Sequence, residues 1–150
     1  MNSDTDFMQL ALGQARLARD AGEVPVGAVL VLRDRLIATG ANRPISGCDP
    51  TAHAEIEALR AGATALGSYR LTDSVLYVTL EPCLMCAAAI VHARVRRVVF
   101  GAWDPRAGAA GSMLDAFVLP GLNHRVDVFG GVLQEQCSAF LTQFFEPRRQ

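Results

Sequence analysis

The stretch Val75-Leu76-Tyr77-Val78-Thr79-Leu80-Glu81-Pro82-Cys83-Leu84-Met85-Cys86, followed by an Ala-rich run to Ala93 and then by Val95–Ala102, decides the fold class. Val75–Leu80 is short, apolar and rich in β-branched and aromatic residues, which predicts a buried strand. Pro82 suits a first helical position, because its φ is already helical and its missing N–H would have no partner there. A helix over Cys83–Ala93 is therefore expected, and Val95–Ala102 reads as the next strand. Strand, helix and strand in direct succession mark an α/β domain.

Outward from this unit the same alternation continues. Phe7, Met8, Leu10, Ala11, Ala15 and Ala18 recur at helical spacing, so a first helix is expected to run to about Ala21, capped by Asp4 or Thr5 and stopped by Gly22. Val24–Leu32 and Leu36–Ala41 flank the polar Arg33-Asp34-Arg35 and predict a hairpin with a buried first strand. Asn42–Pro50 is a loop rich in Pro, Gly and Asn. A helix from His53 to about Leu66 follows, and Trp103–Ser112 is another loop. A strand over Val126–Phe129 and a helix over Leu133–Phe145 complete the chain, and Pro147 should end that helix. There is no internal repeat, low-complexity tract or linker, so residues 1–150 read as a single domain, a three-layer α/β/α sandwich.

Composition sets the outer limits. Of 150 residues, 51% are hydrophobic and 19% charged, and the formal net charge is −1. Disorder is excluded. No apolar run reaches the ~18 residues of a membrane span, and Met1–Phe7 does not resemble a signal peptide. A cytoplasmic protein is expected, and its cysteines read as metal ligands or inert thiols rather than disulfides. All fourteen basic residues are Arg. Arg94, Arg96, Arg97 and Arg106, opposed only by Asp104, make residues 94–106 a +3 segment on a neutral chain, which suits local contact with a polyanion rather than broad binding.

The chemistry concentrates in His53-Ala54-Glu55 and Pro82-Cys83-Leu84-Met85-Cys86. Cys83 and Cys86 stand three apart, so on a helix they share a face. At a helix start the positive end of the dipole favours thiolate, the form that binds metal. With His53 they supply three ligands suited to zinc, one fewer than a closed structural site, which leaves a position for water. Zinc lowers the pKa of such a water to about 7 and so supplies hydroxide at neutral pH. Glu55, two residues from His53, is placed to move protons, provided that it sits in the cap region of its helix. A Cys-x-x-C pair by itself also fits a redox site. Cys48 and Cys137 read as ordinary buried or loop thiols, with closure of the zinc shell by Cys48, five residues before His53, as the alternative.

His-x-Glu followed by Pro-Cys-x-x-Cys is the signature of zinc nucleobase deaminases. The chain further resembles the bacterial tRNA-specific adenosine deaminases over nearly its whole length. The resemblance rests on Glu23–Val31, Asn42-Arg43-Pro44, Asp49–Ile56, Leu76–Cys83, Arg97–Ala102, Gly108–Ser112, Asn123–Val126 and the terminal Phe144-Phe145 and Arg148-Arg149. It implies a cytidine-deaminase-like fold with a five-stranded mixed sheet, a homodimer and one zinc per subunit. It also implies the reaction, hydrolytic conversion of adenosine to inosine at the wobble position of a tRNA anticodon. In that reading Glu55 is catalytic, His53, Cys83 and Cys86 hold the metal, and Asn42, Ala54, Asp104 and Arg106 contact the substrate. Trp103 and Glu146-Pro147 depart from the family pattern; Trp103 suits either stacking on a base or burial in an interface. Two rivals remain at this point: a deaminase of free bases with the same zinc site, and a noncatalytic zinc-stabilised RNA-binding subunit, which would have no need of Glu55.

Overall fold

The computed structural model describes residues 2–149, leaving the Arg149 side chain aside. Its elements run α1 (Asp4–Asp20), β1 (Gly27–Leu32), β2 (Arg35–Ala41), α2 (Ala54–Leu66), β3 (Ser74–Leu80), α3 (Leu84–His92), β4 (Arg97–Ala102), β5 (Asp127–Gly130) and α4 (Gln134–Phe145). The strands form one five-stranded sheet in the order β2-β1-β3-β4-β5. β1 is antiparallel to both β2 and β3, while β3, β4 and β5 are parallel. The expected mixed sheet is therefore present.

Period-two alternation along the central strands divides the core in two. Ala28, Leu30, Leu76, Val78, Val98 and Phe100 face α2 and α3. Val29, Val31, Val75, Tyr77 and Val99 face α1 and meet Cys137 of α4. Since both faces are covered, the middle strands are apolar throughout rather than alternating. This is the three-layer sandwich expected from the sequence.

Several boundaries differ from expectation, each for a local reason. Ser3 caps α1, not Asp4 or Thr5: its hydroxyl accepts the Asp6 N–H while the Asp6 carboxylate accepts the Ser3 N–H, a reciprocal pair that satisfies two orphan donors. Cys83 is the N-cap of α3, so Pro82 lies just outside the helix instead of opening it. The last strand begins at Asp127, one residue late, and α4 gives way at Glu146 to a short 3-10 turn, Glu146–Arg149. The β1–β2 turn places Arg33 and Asp34 at positive φ, as a two-residue hairpin requires.

The topology brings one set of ends together. β1 starts, and β2, β3, β4 and β5 finish, at the same edge of the sheet, where α2 and α3 begin. Gly40 permits the close seating of α2, since a Cβ there would overlap the Ala54 carbonyl and stand 2.6 Å from the Ala58 nitrogen.

Candidate active site

His53 and Cys83 are the N-cap residues of α2 and α3, so two helix starts converge. His53 Nδ1 lies 3.6 Å from Cys83 Sγ and 3.4 Å from Cys86 Sγ. All three donor atoms fall within 4.8 Å of one another. A tetrahedral zinc with ordinary Zn–N and Zn–S bonds spaces a nitrogen and a sulfur ligand about 3.6 Å apart. The donor set fits that ion in chemistry and in spacing.

The crowding of the three donors sets how each of them titrates. The Cys83 thiol is lowered to about 4, chiefly by hydrogen bonding from Cys86, with His53 and the Cys86 N–H adding to it against burial. Cys86, fully buried, is pushed up by the neighbouring Cys83 and by burial. His53 is raised, chiefly by its hydrogen bond with Cys83. Glu55 sits in the first turn of α2, the placement required for it to share the site with His53. It is 4% exposed, and burial pushes its carboxyl up to about 7, with the Cys83 charge adding and His53 opposing.

Two loops border the metal ligands, and each is held by a buried carboxylate. Glu23 accepts the N–H groups of Ile45 and Ser46 at 3.1 and 2.7 Å, and the Arg43 N–H reaches the Ala52 carbonyl at 2.9 Å. Asn42, directly after β2, is thereby fixed beside the start of α2. On the other side, Glu81 accepts from the N–H groups of Asp104, Ala110 and Ser112 at 2.9, 2.9 and 3.1 Å and from the Ser112 hydroxyl. Burial opposes ionisation of both acids, but these hydrogen bonds prevail and hold both below their ordinary values. Sequence reasoning assigned neither a role. The available signal was a carboxylate adjoining an apolar run beside a proline.

The other expected site residues differ in their surroundings. Ala54 is fully buried at the start of α2. The Asp104 carboxylate accepts the N–H groups of Arg106 and Ala107 at 3.1 and 3.3 Å and so shapes its own loop, while Arg106 is exposed. Residues 94–106 do not form one patch. β4 carries Arg97 and Arg106 to opposite ends of the sheet, Arg97 is paired with Asp4, and Arg94 bonds Asn123. His124 bonds the Val95 carbonyl, so the Asn123–Val126 segment is also anchored away from the metal ligands. Cys48 is exposed and stands outside the three-donor group, and Cys137 is buried. Trp103 is 44% exposed and meets the Phe100 ring edge-on at 4.7 Å. The Arg148 guanidinium folds back over Phe144, 3.7 Å from the ring centre.

A His, Cys, Cys ligand set with a buried carboxyl two residues from the His, on a three-layer α/β/α fold, defines the class of zinc-dependent nucleobase deaminases. The chain belongs to the family described as the cytidine and deoxycytidylate deaminase zinc-binding region, matched over residues 1–102, and within it to the tRNA-specific adenosine deaminases. It is 52% identical to the tRNA-specific adenosine deaminase of Haemophilus influenzae, over 98% of this chain and 86% of that one. The corresponding Bacillus subtilis protein is 42% identical over 99% and 92%. A solved structure from a study of A-to-I editing by tRNA:A34 deaminases at the wobble position of transfer RNA superposes with a TM-score of 0.88 at 50% identity, covering 90% of this chain and 98% of that one. A guanine deaminase from Nitrosomonas europaea shares the fold at a TM-score of 0.83 and 26% identity, covering 96% and 85%.

Proposed function

We propose that this chain deaminates adenosine to inosine at the wobble position of a tRNA anticodon. The observation that carries this reading is near-complete coverage by relatives named tRNA-specific adenosine deaminase and by a structure from a study of wobble-position A-to-I editing, joined to the three-donor site and the buried Glu55. An anticodon loop presents an unstacked base, so seating it in a pocket costs less than extracting one from a duplex. His53, Cys83 and Cys86 hold zinc, which supplies Lewis acidity and water activation at neutral pH. Glu55 takes a proton from the water that attacks C6 of adenine. It delivers that proton to N1 and then carries the remaining hydroxyl proton to the C6 amino group, so that one C–O bond forms and becomes the C6 carbonyl, one C–N bond breaks, and ammonia leaves. Asn42 and the first turn of α2 border the base on one side, and the loop bearing Asp104 and Arg106 borders the RNA on the other.

The same reading places a single deaminase domain over residues 1–150, working in the cytoplasm as a homodimer. Support for the dimer comes from the outer side of α3. Leu84 and Leu119 are about half exposed, at 51% and 48%, around a hollow of about 280 Å³ lined also by Ala88, Val91 and Leu122, and Val118, next to Leu119 in the chain, is 64% exposed. Among the described residues no helix is long and apolar enough to cross a membrane.

The deciding experiment incubates the zinc-loaded protein with an adenosine-34 tRNA, with free guanine and with free cytosine, and measures inosine and ammonia. Inosine in the tRNA is the expected result. Ammonia from a free base, with none from tRNA, would overturn the reading in favour of a free-base deaminase. Sedimentation of the wild type against Leu84→Asp tests the dimer, which that substitution should dissociate.

A further inference from the structure

Glu81 is a buried titratable group that the deamination chemistry does not use. It is 2% exposed, yet four hydrogen bonds converge on its carboxylate, and all four come from one loop, residues 104–112. A carboxylate is acceptor-only, with room for about four donors, so its capacity is spent on that loop. The backbone on either side of it is also engaged. The Glu81 N–H reaches the Ala102 carbonyl at 2.8 Å, and the Ala109 N–H reaches the Pro82 carbonyl at 2.8 Å. Cys83 follows immediately. Gly108 completes the seat, because a Cβ there would overlap the Glu81 carboxylate.

We propose that Glu81 is a positioning residue for the deamination, clamping the 104–112 loop onto the strand that delivers Cys83 so that the substrate wall is set relative to the metal ligands. The proposal rests on the functional reading above, which assigns this loop to the RNA. The hydrogen bonds of its carboxylate all go to that loop, so Glu81 acts through the backbone it holds. In place of Glu81, Gln would turn an NH2 group toward N–H donors and leave buried groups unpaired, which is costly. The loop would then dock less often, and binding would weaken more than turnover.

The test compares zinc-loaded wild type, Glu81→Gln and Gly108→Ala on an anticodon stem-loop with adenosine at the wobble position. Trp103, the single tryptophan, adjoins Asp104, and a Cβ on Gly111 would stand 3.7 Å from its ring, so its emission reports loop docking without reference to activity. Glu81→Gln should keep one zinc per chain, raise KM about tenfold with a smaller fall in kcat, and shift Trp103 emission toward that of exposed indole. Wild-type KM and emission in a folded, zinc-loaded Glu81→Gln would overturn the proposal, as would a loss of activity that merely tracks lost zinc. If Glu81→Gln does not fold, Gly108→Ala decides, since its methyl would overlap both the Glu81 carboxylate and the Asp104 carbonyl and so displace the loop from an intact Glu81. The same KM rise and emission shift support the clamp, and an unchanged KM overturns it. No inosine from the wild type would sink the functional reading, whereas the emission comparison still reads the hold of Glu81 on its loop.

Discussion

Asp4 receives both terminal nitrogens of Arg97, Nη1 at 2.9 Å and Nη2 at 2.6 Å, and so ties the first turn of α1 to the start of β4. The Tyr77 hydroxyl donates to the same carboxylate at 2.7 Å, and Arg97 lies over the Phe129 ring at 4.5 Å. The Arg97 hydrogen bonds, opposed by burial and assisted by Tyr77, lower the Asp4 pKa. A carboxylate lowered by folding stabilises the protein above its unfolded pKa and loses that contribution as pH falls through the folded value. Asp4→Asn should therefore destabilise the protein at pH 7 by about 1 kcal/mol, modest because the pair is partly exposed. The deficit should shrink below about pH 4 as the wild-type carboxyl protonates. Urea titrations of both proteins from pH 7 to pH 2 check this, and a deficit independent of pH would assign the effect to packing alone.

That pair also explains why one part of the sequence misleads. Arg94, Arg96, Arg97 and Arg106 sum as charges along the chain, but a strand separates consecutive residues by about 3.3 Å each, and β4 spends its length between the first three and the last. Charge counted along the sequence does not record which guanidinium finds a partner. The metal ligands were legible for the opposite reason: Cys83 and Cys86 are tied by local helical geometry, and His53 opens a helix marked by Asp49-Pro50-Thr51. Alternating strands and helices likewise made the layers legible, since periodicity is local. Glu23 and Glu81 were not, because their roles depend on backbone amides about 22 to 31 residues away, and nothing in either neighbourhood names those partners. The Ser3 cap was missed by one residue, which is the resolution of capping signals where several polar residues adjoin.

Separating metal binding from proton transfer tests the site directly. Cys83→Ala removes one of three donors and should abolish stoichiometric zinc binding along with activity. Glu55→Ala leaves all three donors in place and should retain one zinc per chain while losing at least a hundredfold in turnover, the scale of general acid–base catalysis. Metal analysis and single-turnover deamination on the same preparations check both. Near-normal turnover in Glu55→Ala would remove the carboxyl from the mechanism.

Arg106 stands exposed on the loop that Asp104 shapes and Glu81 holds. Replacing it with Ala should weaken tRNA binding at low salt and reduce the slope of log affinity against log salt by about one phosphate contact. Arg97→Ala serves as the contrast. Its guanidinium is committed to Asp4 at the other end of β4, so it should lower stability and leave the salt slope unchanged. Filter binding across a salt series distinguishes the two, and equal slopes for Arg106→Ala and wild type would take Arg106 out of the RNA interface.

Two glycines in this fold should respond to the same added methyl group in opposite directions. Gly13 lies within α1 with nothing within 4 Å of where a Cβ would stand. Gly13→Ala should stabilise the protein by roughly 0.5–1 kcal/mol, through lower backbone entropy in the unfolded chain and better helix propensity. Gly40 lies in β2 beneath the first turn of α2, where the methyl would overlap the Ala54 carbonyl and crowd the Ala58 nitrogen. Backbone atoms cannot yield as a flexible side chain does, so Gly40→Ala should cost about 1–3 kcal/mol or more, several degrees in thermal midpoint for a chain of this size. The displacement acts on the helix that begins beside His53, so zinc affinity should fall with stability in Gly40→Ala and remain unchanged in Gly13→Ala. Thermal unfolding with and without a zinc chelator measures both quantities, and a stable, tightly zinc-loaded Gly40→Ala would show that α2 is not seated by that contact.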